Sequence, residues 1–257
     1  MLDPYRFLEP LGRGSIGQVW RVEYRRPGPL MGRVIAAKLT YQPASHDDVR
    51  REMQGISYIL TLSHPHLLKH FFAEEFFGRL IIAMDLADGN LLDRWTEHRR
   101  SESVLASAEL TMHMRQAAEA LDYIHERGLV HGGVNPEDIL LLNGKVQIAD
   151  PGPSALSVQP LTEIPTGNLS KTICMAPERR RGIEHFQSDQ YALAASYVWL
   201  RSGQPLFGLE TQFESIRSIS CVSERECQVL VRALSAQPDA RYPTCIEFVD
   251  ALQTART

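Results

Sequence analysis

Gly12, Gly14 and Gly17 stand as Gly-x-Gly-x-x-Gly in the string GRGSIGQVW, with Val19 two residues on. Glycines let a backbone take unusual φ values and approach a phosphate closely. The same spacing also serves a dinucleotide-binding turn or a plain hairpin. A dinucleotide turn runs from a strand into a helix, with an acidic residue about twenty positions later. The strand-like QVWRVEY that follows here disfavours it. Lys38 comes nineteen residues beyond Val19, in VIAAKL, flanked by Ile35, Ala36 and Leu39. If both faces of that strand are covered, the ammonium needs an anion. Glu52 on the next helix and a bound phosphate are its natural partners. The alternative is an edge-strand lysine that snorkels to water. His64, His66 and His70 are close enough in sequence to suggest a metal.

These residues need elements to hold them. Phe7 to Gly12, Gln18 to Tyr24 and Arg33 to Thr40 read as strands. Asp47 to Leu62 has an acidic start and apolar Met53, Ile56, Ile59 and Leu60 at helical spacing. Leu67 to Phe72, turning through Glu74-Glu75 to Phe76, reads as a strand pair with Leu80 to Leu86. Asp88-Gly89-Asn90 is a turn signal and a candidate boundary between two lobes. Beyond it the pattern is mostly helical. Ala108 to Arg127 carries Leu110, Met114, Ala117, Leu121 and Ile124 on one face, and Gly128 stops it. Ile139 to Leu142 and Lys145 to Ala149 flank Asn143-Gly144, a strong hairpin turn. A loop is expected from Pro151 to Gly167, and helices at Ser188 to Arg201, Glu224 to Ser235 and Thr244 to Gln253. Strands followed by helices predict an α+β fold.

With 257 residues the chain can form one large domain or two lobes around a cleft. A formal net charge of −4 gives no reason to expect nucleic acid or an anionic membrane as partner. The short basic runs Arg25-Arg26, His98 to Arg100 and Arg179 to Arg181 read as solvated surface charge. Cys174, Cys221, Cys227 and Cys245 form no Cys-x-x-Cys pair, which favours a reducing, cytoplasmic setting. The N-terminus is unlike a signal peptide. The apolar run Tyr191 to Leu200 is half of what spans a bilayer, so no membrane insertion by this domain is expected. A membrane anchor in a longer parent protein remains compatible with this.

The order of these motifs resembles the protein kinase family, in the flavour of bacterial serine/threonine kinases, over essentially the whole chain. AMDLADGNL resembles the adenine-holding hinge, with Met84 at the gatekeeper place. HGGVNPEDILL stands at the catalytic loop, Asp150-Pro151-Gly152 at Asp-Phe-Gly, and Ala176-Pro177-Glu178 at Ala-Pro-Glu. Asp189 resembles the buried aspartate that supports the loop, and Arg241 the arginine that pairs with Glu178. The resemblance implies the bilobal protein kinase fold: a small antiparallel-sheet lobe over 1–87 and a larger helical lobe over 88–257. It further implies that Gly12, Gly14, Gly17, Val19, Ala36 and Leu140 surround a nucleotide and that Asp85, Leu86 and Ala87 offer backbone hydrogen bonds. Lys38 with Glu52 would hold phosphates, and Asp138 with Asp150 would hold Mg²⁺ or Mn²⁺ beside ATP.

The catalytic loop departs from the family's His-Arg-Asp-Leu-Lys-Pro-Glu-Asn. Here it reads His131-Gly132-Gly133-Val134-Asn135-Pro136-Glu137-Asp138. Gly133 replaces the aspartate that accepts the substrate's proton, a group of the kind worth about 10²–10⁴-fold. Asn135 replaces the lysine that steadies the γ-phosphate. Gly132 replaces the arginine that meets a phosphorylated activation loop, so that control is expected to be absent. Asp138 replaces the metal-binding asparagine and makes a doubly anionic pair with Asp150. Pro151 replaces phenylalanine and is expected to stiffen the switch. Lys171 falls near where the substrate loop has threonine, with Thr172 adjacent.

No catalytic residues are therefore expected. The sequence reads as a pseudokinase that binds ATP and metal and acts on a partner protein as a regulatory or scaffolding domain in signalling. Two alternatives stand beside it. One is a weakly active or atypical ATP-dependent transferase, with Asp138 or Glu137 as base. The other is a protein-interaction module whose cleft stays empty.

Overall fold

The computed structural model describes residues 4–13, 17–41, 56–100, 107–149, 169–205, 216–217, 219 and 222–256. They fall into two compact units. Residues up to 63 together with 68–87 form the first, and 64–67 with most of the chain beyond 88 the second.

The first unit is a five-stranded antiparallel sheet. Its strands are β1 (Tyr5–Arg13), β2 (Gly17–Tyr24), β3 (Val34–Thr40), β4 (His70–Phe76) and β5 (Arg79–Met84), in the order β1-β2-β3-β5-β4. Side chains alternate across a strand. One face gathers Tyr5, Val22, Tyr24, Ile35, Ala37, Ile81 and Ala83, with Phe7, Trp20, Phe72 and Phe76 packed on them. The β4–β5 turn differs from the expectation. Glu74 and Glu75 are in the strand, opposite Ile81 and Leu80, and the turn is Phe77-Gly78, with φ of 50° and 70°. Glu74 can stay in the strand because Tyr5 Oη donates to it at 2.6 Å and Arg26 pairs with it at 2.7 Å. Residues 56–59 are helical. The expected continuation to Leu62 is not helical, residues 60 and 61 forming a turn. The part of this helix before residue 56, including Met53, lies outside the described residues, as does the loop from Pro151 to Gly167.

After residues 64–67, the second unit continues with β6 (Gly89–Asn90), so the expected turn there is partly strand. It pairs with β7 (Ile139–Leu142), which pairs with β8 (Lys145–Ile148). The β7–β8 turn is Asn143-Gly144, with φ of 52° and 74°, as its residue types require. Helix α1 (Leu91–Arg100) is short and mostly polar, and the sequence reading places no helix there. The Asn90 side chain caps it by accepting from Asp93 N–H at 2.8 Å. In α2 (Ser107–His125) the five predicted core residues are buried. Gly128, at φ 76°, ends it, and Leu129 N–H reaches back to the Ile124 carbonyl at 3.0 Å.

Then follow α3 (Leu169–Cys174), α4 (Pro177–Arg180), α5 (Phe186–Ser202), α6 (Glu224–Ala233) and α7 (Cys245–Thr254). The stretch Ser188 to Val198 of α5 is buried on every side, which marks α5 as the central helix of the unit. Residues 64–67 join this unit through β8. Ile148 N–H bonds to the His66 carbonyl at 2.8 Å, and His66 Nδ1 bonds to the Val146 carbonyl at 3.0 Å. That settles His66 as structural, and His64 stacks on Tyr123 at 5.0 Å.

Candidate functional site

On the first unit, register brings the predicted nucleotide residues together. Val19 pairs with Lys38, Lys38 with Ile82, and Ala36 with Met84. These positions share the sheet face opposite the aromatic cluster. Lys38 is only 7% exposed, which rules out the snorkelling edge lysine, since β3 is also flanked by β2 and β5. Asp85 N–H donates to the Lys69 carbonyl at 2.9 Å. That N–H is therefore already committed within the first unit. The two described glycines of the motif differ. A Cβ on Gly17 would lie 2.4 Å from the Leu39 carbonyl oxygen, so the sheet itself demands glycine there. A Cβ on Gly12 meets nothing within 4 Å. Gly14, Glu52 and Asp150 lie outside the described residues.

On the second unit, the loop from His131 to Asp138 hangs on Asp189 of α5. The His131 and Gly132 N–H groups donate to its two carboxylate oxygens, each at 2.7 Å, and His125 Nε2 reaches it at 2.8 Å. Asp189 is 1% exposed, so a carboxylate there requires these donors. Burial works against a charged His125, but the hydrogen bonds it donates to Asp122 and Asp189, and their charges, outweigh it and hold its pKa at about 9. His131 Nε2 faces the Ala149 carbonyl at 2.7 Å while Nδ1 accepts from Gly133 N–H at 3.3 Å, which fixes the Nε2–H tautomer.

Asn135 points inward and is fully buried. Its amide nitrogen donates to the Gly133 carbonyl at 3.0 Å and to the Asp138 carboxylate, and its oxygen accepts from Glu137 N–H at 2.9 Å. Every polar atom of that side chain is committed to the loop itself. Asp138 is half-buried. Glu137 is exposed and accepts from Ser170 Oγ at 2.8 Å. Leu140 lies in β7, half-buried, opposite Asn90 and Gln147.

Below the loop, Glu178 and Arg241 form a bidentate pair at 2.7 and 2.8 Å with side chains 3% and 0% exposed. Ser188 Oγ donates to Glu178 at 2.6 Å. Burial pushes the Glu178 carboxyl up, but the bonds from Arg241 and Ser188 outweigh it and hold it below the usual carboxylate range.

Among the described residues, one His/Cys/carboxylate group has ligand spacing: Asp122, His125 and Cys245, within 4.8 Å of one another. Asp122 accepts from Cys245 and Ile246 N–H, both at 2.9 Å, and so caps α7. Burial drives the Cys245 thiol well above its ordinary range. This is a helix cap joined to an ion pair rather than a set of metal ligands. Arg179 corrects the surface-charge reading of its run: its side chain is 19% exposed and lies against Gly132.

A protein kinase domain model matches residues 5–256. The chain belongs to the protein kinase domain family. It is 32% identical over 256 residues to the serine/threonine-protein kinase PknI of Mycobacterium tuberculosis, covering 96% of this chain and 41% of PknI. It is 30% identical over 278 residues to PknF of the same species, covering 96% of this chain and 55% of PknF. The chain thus spans about half the length of these relatives or less. The crystal structure of the M. tuberculosis PknI kinase domain is similar at TM-score 0.74 and 29% identity, covering 99% of this chain and 97% of that one. The fold is therefore the protein kinase fold, with the five-stranded antiparallel sheet of the small lobe and the helical large lobe. Among the described residues, no helix is long and apolar enough to cross a membrane.

Proposed function

We propose that this kinase domain, with lobes over 1–87 and 88–257, is a pseudokinase that binds ATP with Mg²⁺ or Mn²⁺. It acts as a regulatory or scaffolding domain on a partner protein in a bacterial, cytoplasmic signalling setting. The observation that carries the reading is the inward Asn135. The residue standing where the family steadies the γ-phosphate is fully buried and bonded within its own loop. The neighbouring position, Gly133, has no side chain to accept a proton. Binding is supported by the buried Lys38 on the face shared with Val19, Ala36 and Met84. Asp138 is the described member of the expected metal pair, and a divalent ion there would neutralise phosphate charge. Val19, Ala36 and Met84 would contact the base, and Lys38 the phosphates.

A second reading, a weakly active serine/threonine kinase or related transferase, draws on the exposed Glu137 carboxylate and on the kinases this chain is similar to. Calorimetry with ATP at fixed Mg²⁺, on wild type and Lys38→Ala, tests binding. We expect the mutant to bind at least tenfold more weakly, about 1.4 kcal/mol. Label transfer from ATP that disappears in Asp150→Ala would replace the pseudokinase by the second reading. No binding with either metal would leave an interaction module.

A further inference from the structure

The loop that holds Gly132 is gripped from two sides. Asp189 takes its N–H groups. Its carbonyl side faces Arg179 of α4, whose Nε donates to the Gly132 carbonyl at 3.3 Å while Nη1 pairs with Glu184. The guanidinium fills the space a side chain at 132 would occupy. A Cβ built on Gly132 lies 2.6 Å from Arg179 Nη2 and 2.9 Å from its Cζ. Gly132 also has φ of 73°, the left-handed region that other residues enter at a cost. A side chain at 132 and the Arg179 guanidinium cannot both occupy this space, so one of them would have to shift.

We propose that Arg179 is the positioning residue of the 131–133 loop, delivering from α4 the guanidinium that the kinase resemblance places at position 132. Arg179 occupies a rigid mount. Its neighbour Glu178 is locked to Arg241 and Ser188, and the Nε–Nη fork spans Gly132 and Glu184 at once. Lysine has the charge but no fork. The loop is thereby held by groups of the fold itself, whether or not nucleotide is bound.

Backbone hydrogen exchange on the whole chain tests this. Arg179→Ala is expected to raise exchange at the 131–133 amides roughly tenfold, the effect of losing one such bond, and to leave the α5 core unchanged. Arg179→Lys is expected to behave like Arg179→Ala. Gly132→Ala should lower the unfolding midpoint more in wild type than in Arg179→Ala, because only wild type has the clash. The proposal is overturned if Arg179→Lys protects the loop as wild type does. It is equally overturned if loop exchange does not change, or if Gly132→Ala costs the same in both backgrounds. Should Arg179→Ala fail to fold, Arg179→Gln carries the same test.

Discussion

His125 shows how a single ring couples proton concentration to the loop. Its folded pKa of about 9 lies above the ordinary histidine value near 6.5. A raised pKa means that the folded state holds the proton more tightly than the unfolded chain. The stabilisation is complete below about 6.5 and is lost as pH rises through about 9. We expect wild type to lose on the order of 2 kcal/mol across that window, and His125→Gln to show a flatter profile. Urea midpoints from pH 6 to 9.5 measure this. Parallel profiles would mean that Asp122 and Asp189 do not charge the ring. Residues of this kind were only half legible in the chain. Asp189, Glu178 and Arg241 stood at recognisable places in the motif order. Arg179 did not, because its meaning comes from Gly132, far away in sequence, and no local pattern links them. The inward turn of Asn135 was equally hidden, since residue type alone does not say whether an amide faces solvent or its own loop.

Elements were legible where local chemistry agreed with tertiary packing. The Asn143-Gly144 turn and α2 followed from residue type and periodicity. The β4–β5 turn did not, because Phe77 is a poor residue for a positive φ and the acidic pair before it looked more turn-like. A bulky residue in that region costs about 1–2 kcal/mol, whereas the ring contact of Phe77 with Phe76, at 4.6 Å, returns about 0.5–1.5 kcal/mol. Phe77 is 86% exposed, so little burial is at stake. Phe77→Asn should therefore stabilise the protein modestly, by about 0.5 kcal/mol, read as a higher denaturant midpoint. A clear drop would show that the ring pair outweighs the backbone.

For the molecule as a whole, the pair Glu178–Arg241 binds distant stretches of the second unit to one another. Arg241 also donates to the carbonyls of Gln187 and Ser235, at 2.9 and 2.8 Å. Arg241→Ala would leave a buried carboxylate without its cation, at about 3–5 kcal/mol. We expect a loss of that size by chemical denaturation. The pair's contribution should also shrink as pH falls through the depressed Glu178 value, because protonation removes the charge Arg241 meets. If Arg241→Ala unfolds at the wild-type midpoint, the pair is not what holds these stretches.

The inward amide of Asn135 also shapes which substitutions are open to the chain over generations. Putting lysine at 135 removes the acceptor of Glu137 N–H and replaces the short planar amide that donates to both the Gly133 carbonyl and Asp138. Each partner left bare inside the loop costs about 1–3 kcal/mol. Putting aspartate at 133 instead adds an anion near Asp138 and leaves the phosphate position without its cation. Each single change carries its own cost, and aspartate at 133 does not restore the acceptor that Glu137 N–H loses when residue 135 changes. The loop therefore resists change one residue at a time, because a single buried amide satisfies three of its groups at once.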